Sequence, residues 1–304
     1  MLMLSIVFVV LSIYKGAKVQ NEDPSKDILQ VDENLYDQIR AYSELHRLEP
    51  IDAVNDRVWK SIPGYNGLEV DVKASYEAMQ ASGFDTNKVV FRQIPPKIHL
   101  KDLEPQPIFR GNPHKPMAAF LINVAWGNDF IPKMLQSLNK HGVKATFFFD
   151  GSWLKKNPEL AASIAAEGHE LGNHAYSHPD LQKRTEAETL EELKKTNEVI
   201  EEILGVKPEW FAPPSGSFNQ TTVEVARRLG MYTILWTVDT VDWKKPSTEE
   251  MVQRVVSKVE NGSMILMHPT EPSSEGLETM ITRIISKGYK LGTVGELMSE
   301  ERIY

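Results

Sequence analysis

The chain contains no cysteine, which removes thiol nucleophiles, Cys-ligated zinc and disulfide staples from consideration at once. Concentrated blocks of lysine and arginine are missing as well. With 34 basic against 42 acidic residues the net charge is −8, so a nucleic-acid partner, whose phosphates call for a basic face, is not expected. Low-complexity tracts are absent. Long apolar runs are scarce, with one exception: Met1 to Tyr14 is apolar apart from two serines and is followed by Lys15, Lys18 and the polar run NEDPSKD. This run is shorter than the ~20 residues of a spanning helix, has no basic residue in front of it and no A-x-A site behind it. Residues 1–19 are expected to be a signal peptide or a short membrane anchor, which places the protein outside the cytoplasm, secreted or attached through its N-terminus. A buried N-terminal strand is the structural alternative. Residues 20–31 form a polar linker.

What is present describes a soluble globular protein: 304 residues, 41% hydrophobic and 25% charged, enough for one large domain and a small one. Residues 32–116 have their own character. Leu35 to Leu48 and Val70 to Ala81 have helical spacing, while Arg57 to Ile62 and Lys88 to Ile94 alternate or run apolar like short strands. They predict a small α+β domain without an assignable chemical constellation. Pro95-Pro96 and Pro105, Pro107, Pro113 and Pro116 mark an extended linker lying against the next domain.

From Met117 to the end (residues 117–304) strand and helix patterns alternate. Strands are predicted at Ala118–Ala125, Val143–Phe149, Trp210–Phe211, Met231–Val238, Ser263–Met267 and Tyr289–Val294. Helices are predicted at Phe130–Leu138, Pro158–Glu167, Thr222–Leu229, Met251–Val259 and Leu277–Lys287. A longer helix starts at Thr185 with a capping box to Glu188 and a buried stripe of Leu190, Leu193, Ile200 and Ile203; Ser247 and Glu250 make a second box. Such alternation means parallel strands with helices outside, and this many units suit a (β/α) barrel better than an open sheet. A barrel gathers the C-terminal ends of its strands at one face. His174, Asp242 and His268 all lie at or just after predicted strand ends.

The chemistry gathers in His169 to Leu181, HELGNHAYSHPDL. Four residues apart, His174 and His178 would share one face of a helical turn and could offer imidazole nitrogens to one metal ion. A structural pair that stacks and bonds backbone is the alternative. His46, His99, His114, His141 and His169 are isolated and expected to be surface or core residues, with His169 able to support the pair from a preceding strand. The acidic run Glu186 to Glu192 is expected to be a solvated helix face.

Set in order, several motifs from Met117 to Ser299 resemble the polysaccharide deacetylases, the carbohydrate esterases with a nodulation-protein-B homology domain. HAYSH at 174–178 is similar to the family's H-[S/T]-x-x-H motif, and KATFFFDGSW from Lys144 to its second strand. APPSGSFN from Ala212 is similar to the R-x-P-Y segment, and WTVDTVDW from Trp236 and SMILMHP from Ser263 to the last two motifs. The resemblance implies a distorted (β/α) barrel and metal-dependent removal of N-acetyl groups from glycans such as peptidoglycan or chitin-like oligomers. It implies zinc held by one aspartate and two histidines, a second aspartate as base, an arginine orienting that base, and a histidine paired with an aspartate as proton donor. Carried over, His174 and His178 are the metal ligands, His268 and Asp242 the catalytic pair, with Asp239 a less favoured register. Leu266, Trp243 and Trp126 line the substrate pocket.

Four family positions are lost. The T-F-D-D-G motif is Asn123-Val124-Ala125-Trp126-Gly127, so the base position is Ala125 and the metal-ligand position Trp126, whose indole has no lone pair for a metal. The arginine position is Ala212, and the tyrosine position is Ser215. Two histidines alone would hold zinc weakly, and the site can be metal-free; rescue by Asp129, expected in the next helix's first turn, is not favoured. Trp126 reads as a plug for the emptied site in preference to a sugar platform. The expectation is a deacetylase-like protein bound to N-acetylated cell-wall glycan with impaired or lost catalysis, with an active N-deacetylase of altered machinery as the alternative.

Overall fold

The computed structural model describes residues 32–303; the readings for residues 1–31 lie outside the described residues. Asp32 accepts hydrogen bonds from the Asn34 and Leu35 amides and starts α1 (Glu33–His46). The hairpin of β1 (Val54–Asp56) and β2 (Lys60–Ile62) follows. Then come β3 (Gly67–Val70), α2 (Val72–Met79) and β4 (Phe91–Ile94), with β3 and β4 antiparallel. Leu35, Ile39, Val70 and Met79 form a small core of their own. The strand expected at 57–62 is thus part of a hairpin, and the helix expected from Val70 starts later, because Val70 belongs to β3 and Asp71 caps α2.

β5 (Met117–Val124) is buried at every residue, as a continuous apolar run requires of a strand covered on both faces. After it come α3 (Ile131–Lys140), β6 (Thr146–Phe149), α4 (Gly151–Lys156), α5 (Pro158–Ala166) and β7 (Glu170–Asn173). α6 (Glu186–Leu204), β8 (Trp210–Phe211), α7 (Gln220–Arg228), β9 (Tyr232–Thr233) and β10 (Val238–Asp239) continue the series. α8 (Thr248–Lys258), β11 (Ser263–Met267), α9 (Glu271–Ser286), β12 (Lys290–Gly292) and α10 (Val294–Met298) close it. Every pairing in this sheet is parallel, in the order β10-β11-β5-β6-β7-β8-β9, with β12 beside the start of β5. The result is a curled, incomplete (β/α) barrel. Both expected capping boxes form, Thr185 with Glu188 and Ser247 with Glu250. Leu190 is exposed, unlike Leu193 and Ile200, and the buried stripe of α6 begins with Thr189 instead.

Met231–Val238 is not one strand. The chain pairs with β8 as β9, crosses over, and pairs with β11 as β10, leaving no β9–β10 pairing. The linker enters this seam. The Ile108 amide donates to the Thr233 carbonyl at 2.8 Å, and the Leu235 amide donates to the Ile108 carbonyl at 2.8 Å. Ile108 is fully buried. On its other side it bridges Lys60 of the N-terminal hairpin, and the Ser61 amide donates to Pro107. Farther on, the Gly111 amide donates to Gly262 and the Arg110 guanidinium to the Asn261 carbonyl, next to the start of β11.

Candidate functional site

Parallel strands put their C-terminal ends on one rim, and five of them supply the site: β5 through Ala125 and Trp126, β7 through His174, β8 through Ala212 and Ser215, β10 through Asp242, and β11 through His268. They surround a cleft of about 450 Å³ whose walls include Asn123, Trp126, His178, Trp243, Leu266 and His268. Ser215, Trp236 and Asp239 complete the lining. His174 lies behind His178, and Asp242 behind His268.

His174 and His178 sit in the loop after β7, not on a helix. Ala175 and His178 have φ of 59° and 55°, and these left-handed turns bring the rings edge to face, 5.2 Å between centroids. Asn173 accepts from the Ala175 amide. Glu192 of α6 accepts from the Tyr176 and Ser177 amides at 2.9 and 2.8 Å and from the Ser177 hydroxyl. Glu192 therefore corrects the reading of the acidic run as only a solvated face. The His174 ring donates through Nδ1 to the Ala212 carbonyl at 2.7 Å; since a carbonyl can only accept, Nε2 keeps its lone pair. Burial pushes this imidazole down to about 3, with repulsion from His178 adding to the effect.

Asp242 is fully buried. It accepts from His268 Nδ1 at 2.9 Å, from the His268 amide at 2.6 Å and from the Ser273 hydroxyl at 2.6 Å. Burial pushes the carboxyl up, but the hydrogen bonds and charge of His268 and the Ser273 bond outweigh it and hold it below the ordinary carboxylate value. Val241, immediately before it, has φ of 53°, a strained conformation for a β-branched residue. Of the six non-glycine residues with positive φ among those described, four (Ala175, His178, Ser215 and Val241) belong to these loops. Strain gathered in this way is characteristic of sites fixed by their surroundings.

At the β5 rim, Gly127 has φ of 86°, and a Cβ there would run into the Pro269 carbonyl; only glycine lets the loop press against the His268–Pro269 turn. This fixes Trp126, whose indole lies nearly parallel to the His268 ring, 10° between planes and 5.9 Å between centroids. Trp126 is 46% exposed, so it walls the cleft and does not plug it. Asp129 is exposed in the turn that follows. His169 sits at the opposite end of β7, five residues and about 16 Å from His174; its Nδ1 accepts from the Ala145 amide, and it takes no part. Asp150, not singled out by its sequence, follows β6 near His178. It caps α4 by accepting from the Trp153 amide and the Ser152 hydroxyl, while burial pushes its carboxyl up.

A family model described as polysaccharide deacetylase matches residues 110–234. The Bacillus subtilis protein YlxY is 53% identical over 270 residues, covering 88% of this chain and 85% of that protein. Peptidoglycan-N-acetylmuramic acid deacetylase PdaA of Bacillus subtilis is 30% identical over 200 residues, 64% of this chain and 76% of that one. The chain belongs to the polysaccharide deacetylase family. Among solved deacetylase-family structures, BA3943, a CE4 family pseudoenzyme from Bacillus anthracis, superposes with a TM-score of 0.83 at 45% identity, over 88% of this chain and 96% of that one. A BA3943 mutant with restored enzymatic activity matches with the same TM-score at 44% identity, over 88% and 99%.

Deacetylases of this family are in general metal-dependent, so the donor set has to be tested against an ion. It consists of two imidazoles. No group of three or more His, Asp or Glu side chains suited to a metal exists among the described residues, and Trp126 offers only an N–H. A tight tetrahedral zinc site needs three protein donors and an open position. The residues present do not fit it.

Proposed function

We propose that this chain is a catalytically silent polysaccharide deacetylase that binds N-acetylated cell-wall glycan, of the peptidoglycan or chitin-like kind, outside the cytoplasmic membrane. The observation that carries the reading is the β5 rim: Ala125 and Trp126 stand where the family places its base and its anionic ligand. Without a carboxylate to take the proton from water, and with two neutral donors for an ion, neither nucleophile nor electrophile is supplied. That BA3943 is a pseudoenzyme in wild-type form and has a mutant with restored activity supports the reading. The apolar stretch of residues 1–14 is proposed to take the chain across the membrane or hold it there, and residues 32–116 are proposed to form a small α+β unit whose last stretch is built into the barrel.

One feature favours a second reading, an active N-deacetylase with altered machinery: the hydrogen-bonded pair of Asp242 and His268 is complete. Metal analysis of the purified chain, with acetate release from N-acetylated glycan, separates the two. The silent reading expects substoichiometric zinc and no turnover; one tightly held zinc per chain with turnover would overturn it. Introducing Ala125→Asp, Trp126→Asp and Ala212→Arg together is expected to create metal binding.

A further inference from the structure

A second cleft lies at the other end of the strands. Below the N-terminal ends of β8 and β9, Lys101 of the short Leu100–Asp102 turn, Lys207 of the loop between α6 and β8, and Arg227 of the last turn of α7 line a hollow of about 450 Å³. Glu209 is the one carboxylate in that lining, so two positive charges are in excess, against the net charge of −8 of the whole chain. Among the described residues, neither lysine ammonium is engaged by a carboxylate or a carbonyl. A lone lysine is ordinarily a solvated surface charge; three cations brought from three segments to one concavity repel one another and lack a counterion from the fold. Arg227 is fixed before any ligand arrives: its guanidinium lies 4.0 Å from the Tyr232 ring centroid, and Nη2 donates to the Lys101 carbonyl at 2.9 Å. That occupies one of the five N–H donors of an arginine and leaves the rest for an oxyanion, which the planar fork recognises well. Another cleft, of about 400 Å³, adjoins this one by sharing Lys101 and Tyr232. His99, Ser299 and Glu300 in its lining are polar groups suited to hydroxyls, and the Glu300 carboxylate is already taken by His99 at 2.8 Å. No residue lining the cationic cleft is an exposed large apolar side chain, as insertion into a lipid surface would require.

We infer that this cleft binds a sugar or polyol phosphomonoester, its phosphate held between Arg227, Lys101 and Lys207 and its hydroxyls directed to the adjoining cleft. A phosphomonoester carries about −1.5 to −2 charges near neutral pH, which matches the excess in the lining, whereas a single carboxylate would leave one cation uncompensated. The site is separate from the rim that carries His174 and His268. It stands whether or not that rim is catalytically silent.

The test is calorimetric titration of the full chain at low ionic strength with glucose 6-phosphate, glucose, inorganic phosphate and soluble dihexanoyl phosphatidic acid. Glucose 6-phosphate is expected to bind saturably, inorganic phosphate more weakly and glucose not at all. Lys101→Gln combined with Lys207→Gln is expected to weaken binding roughly tenfold or more. Arg227→Lys keeps the charge but loses the fork, and is expected to weaken it as well. Lys155→Gln combined with Lys156→Gln removes the same charge from an exposed part of α4 and is expected to leave the affinity unchanged. Thermal unfolding of each variant reports whether it is folded. Absence of saturable binding by the wild-type chain, or equal losses in the two folded double variants, overturns the inference. Inorganic phosphate binding as tightly as glucose 6-phosphate would mean an adventitious ion only, and tighter binding of phosphatidic acid would mean a lipid headgroup; either overturns the sugar phosphate.

Discussion

Asp242 shows no surface to solvent and still carries a carboxylate, because three donors converge on it. Removing them from their acceptor strands buried polar groups, so Asp242→Ala is expected to lower stability by about 3–5 kcal/mol, and Ser273→Ala by roughly 1–2 kcal/mol. Urea midpoints at neutral pH measure both, with the slope unchanged if the native state is intact. The sign with pH follows from the carboxyl being held below its ordinary value. Its contribution is complete above the unfolded-state value of about 4 and is lost as pH falls through the lower native one. Much of this site was legible because its family motifs are contiguous: HAYSH, DTVDW and MHP each name a segment. What escaped depends on partners far along the chain. Glu192 reaches back 15 and 16 residues to its amides, and Ser273 lies 31 residues from Asp242. The cationic cleft gives no signal in sequence, since Lys101, Lys207 and Arg227 meet only when three separate segments are assembled.

Among the elements, the loop after β7 illustrates how spacing can be right for the wrong reason. Four residues separate His174 and His178, as they would on a helix, yet two left-handed residues bring the rings together. That loop is held from outside by α6. Glu192→Ala is expected to cost about 1–3 kcal/mol by freeing the Tyr176 and Ser177 amides. It should also raise their hydrogen-exchange rates above those of the β7 core, whereas Glu191→Ala, a neighbouring change without such partners, should do neither. Between α8 and α9 the decisive residue is Gly276, where a Cβ would lie 2.9 Å from Met251 and 3.0 Å from Val252. Gly276→Val is accordingly expected to destabilise by roughly 1–3 kcal/mol through overpacking, read as a lowered melting temperature. Caps were legible, since Thr185 with Glu188 and Ser247 with Glu250 are local chemistry. The break between β9 and β10 was not: β-branched and aromatic residues continue across it, and only the sheet partners decide where each strand ends.

At the scale of the whole molecule, the N-terminal segment and the barrel share structure through the linker. The alternation of strands and helices made the barrel legible, but the proline-rich stretch concealed the insertion of Ile108 into the seam. Truncating that side chain, Ile108→Ala, is expected to cost about 2–5 kcal/mol and to lower one common unfolding transition, measured by calorimetry, without splitting it in two. Acid sensitivity is also set globally. Burial pushes His169 down to about 4, so it stays neutral in the fold while the unfolded chain takes up its proton below about 6.5. Stability is therefore complete above about 6.5 and falls as pH drops from there to about 4. His169→Gln is expected to flatten that slope, measured as stability against pH.

The linker also occupies a place that would otherwise be dangerous. The Thr233 carbonyl and the Leu235 amide meet Ile108, so the outer edge of β9 is covered by the chain's own backbone. A shortened chain beginning at Met117, where the barrel strands start, would leave those groups open to another molecule's strand. Such a fragment should concentrate into oligomers built edge to edge, and the proline-rich approach to the barrel is thus a guard against self-assembly.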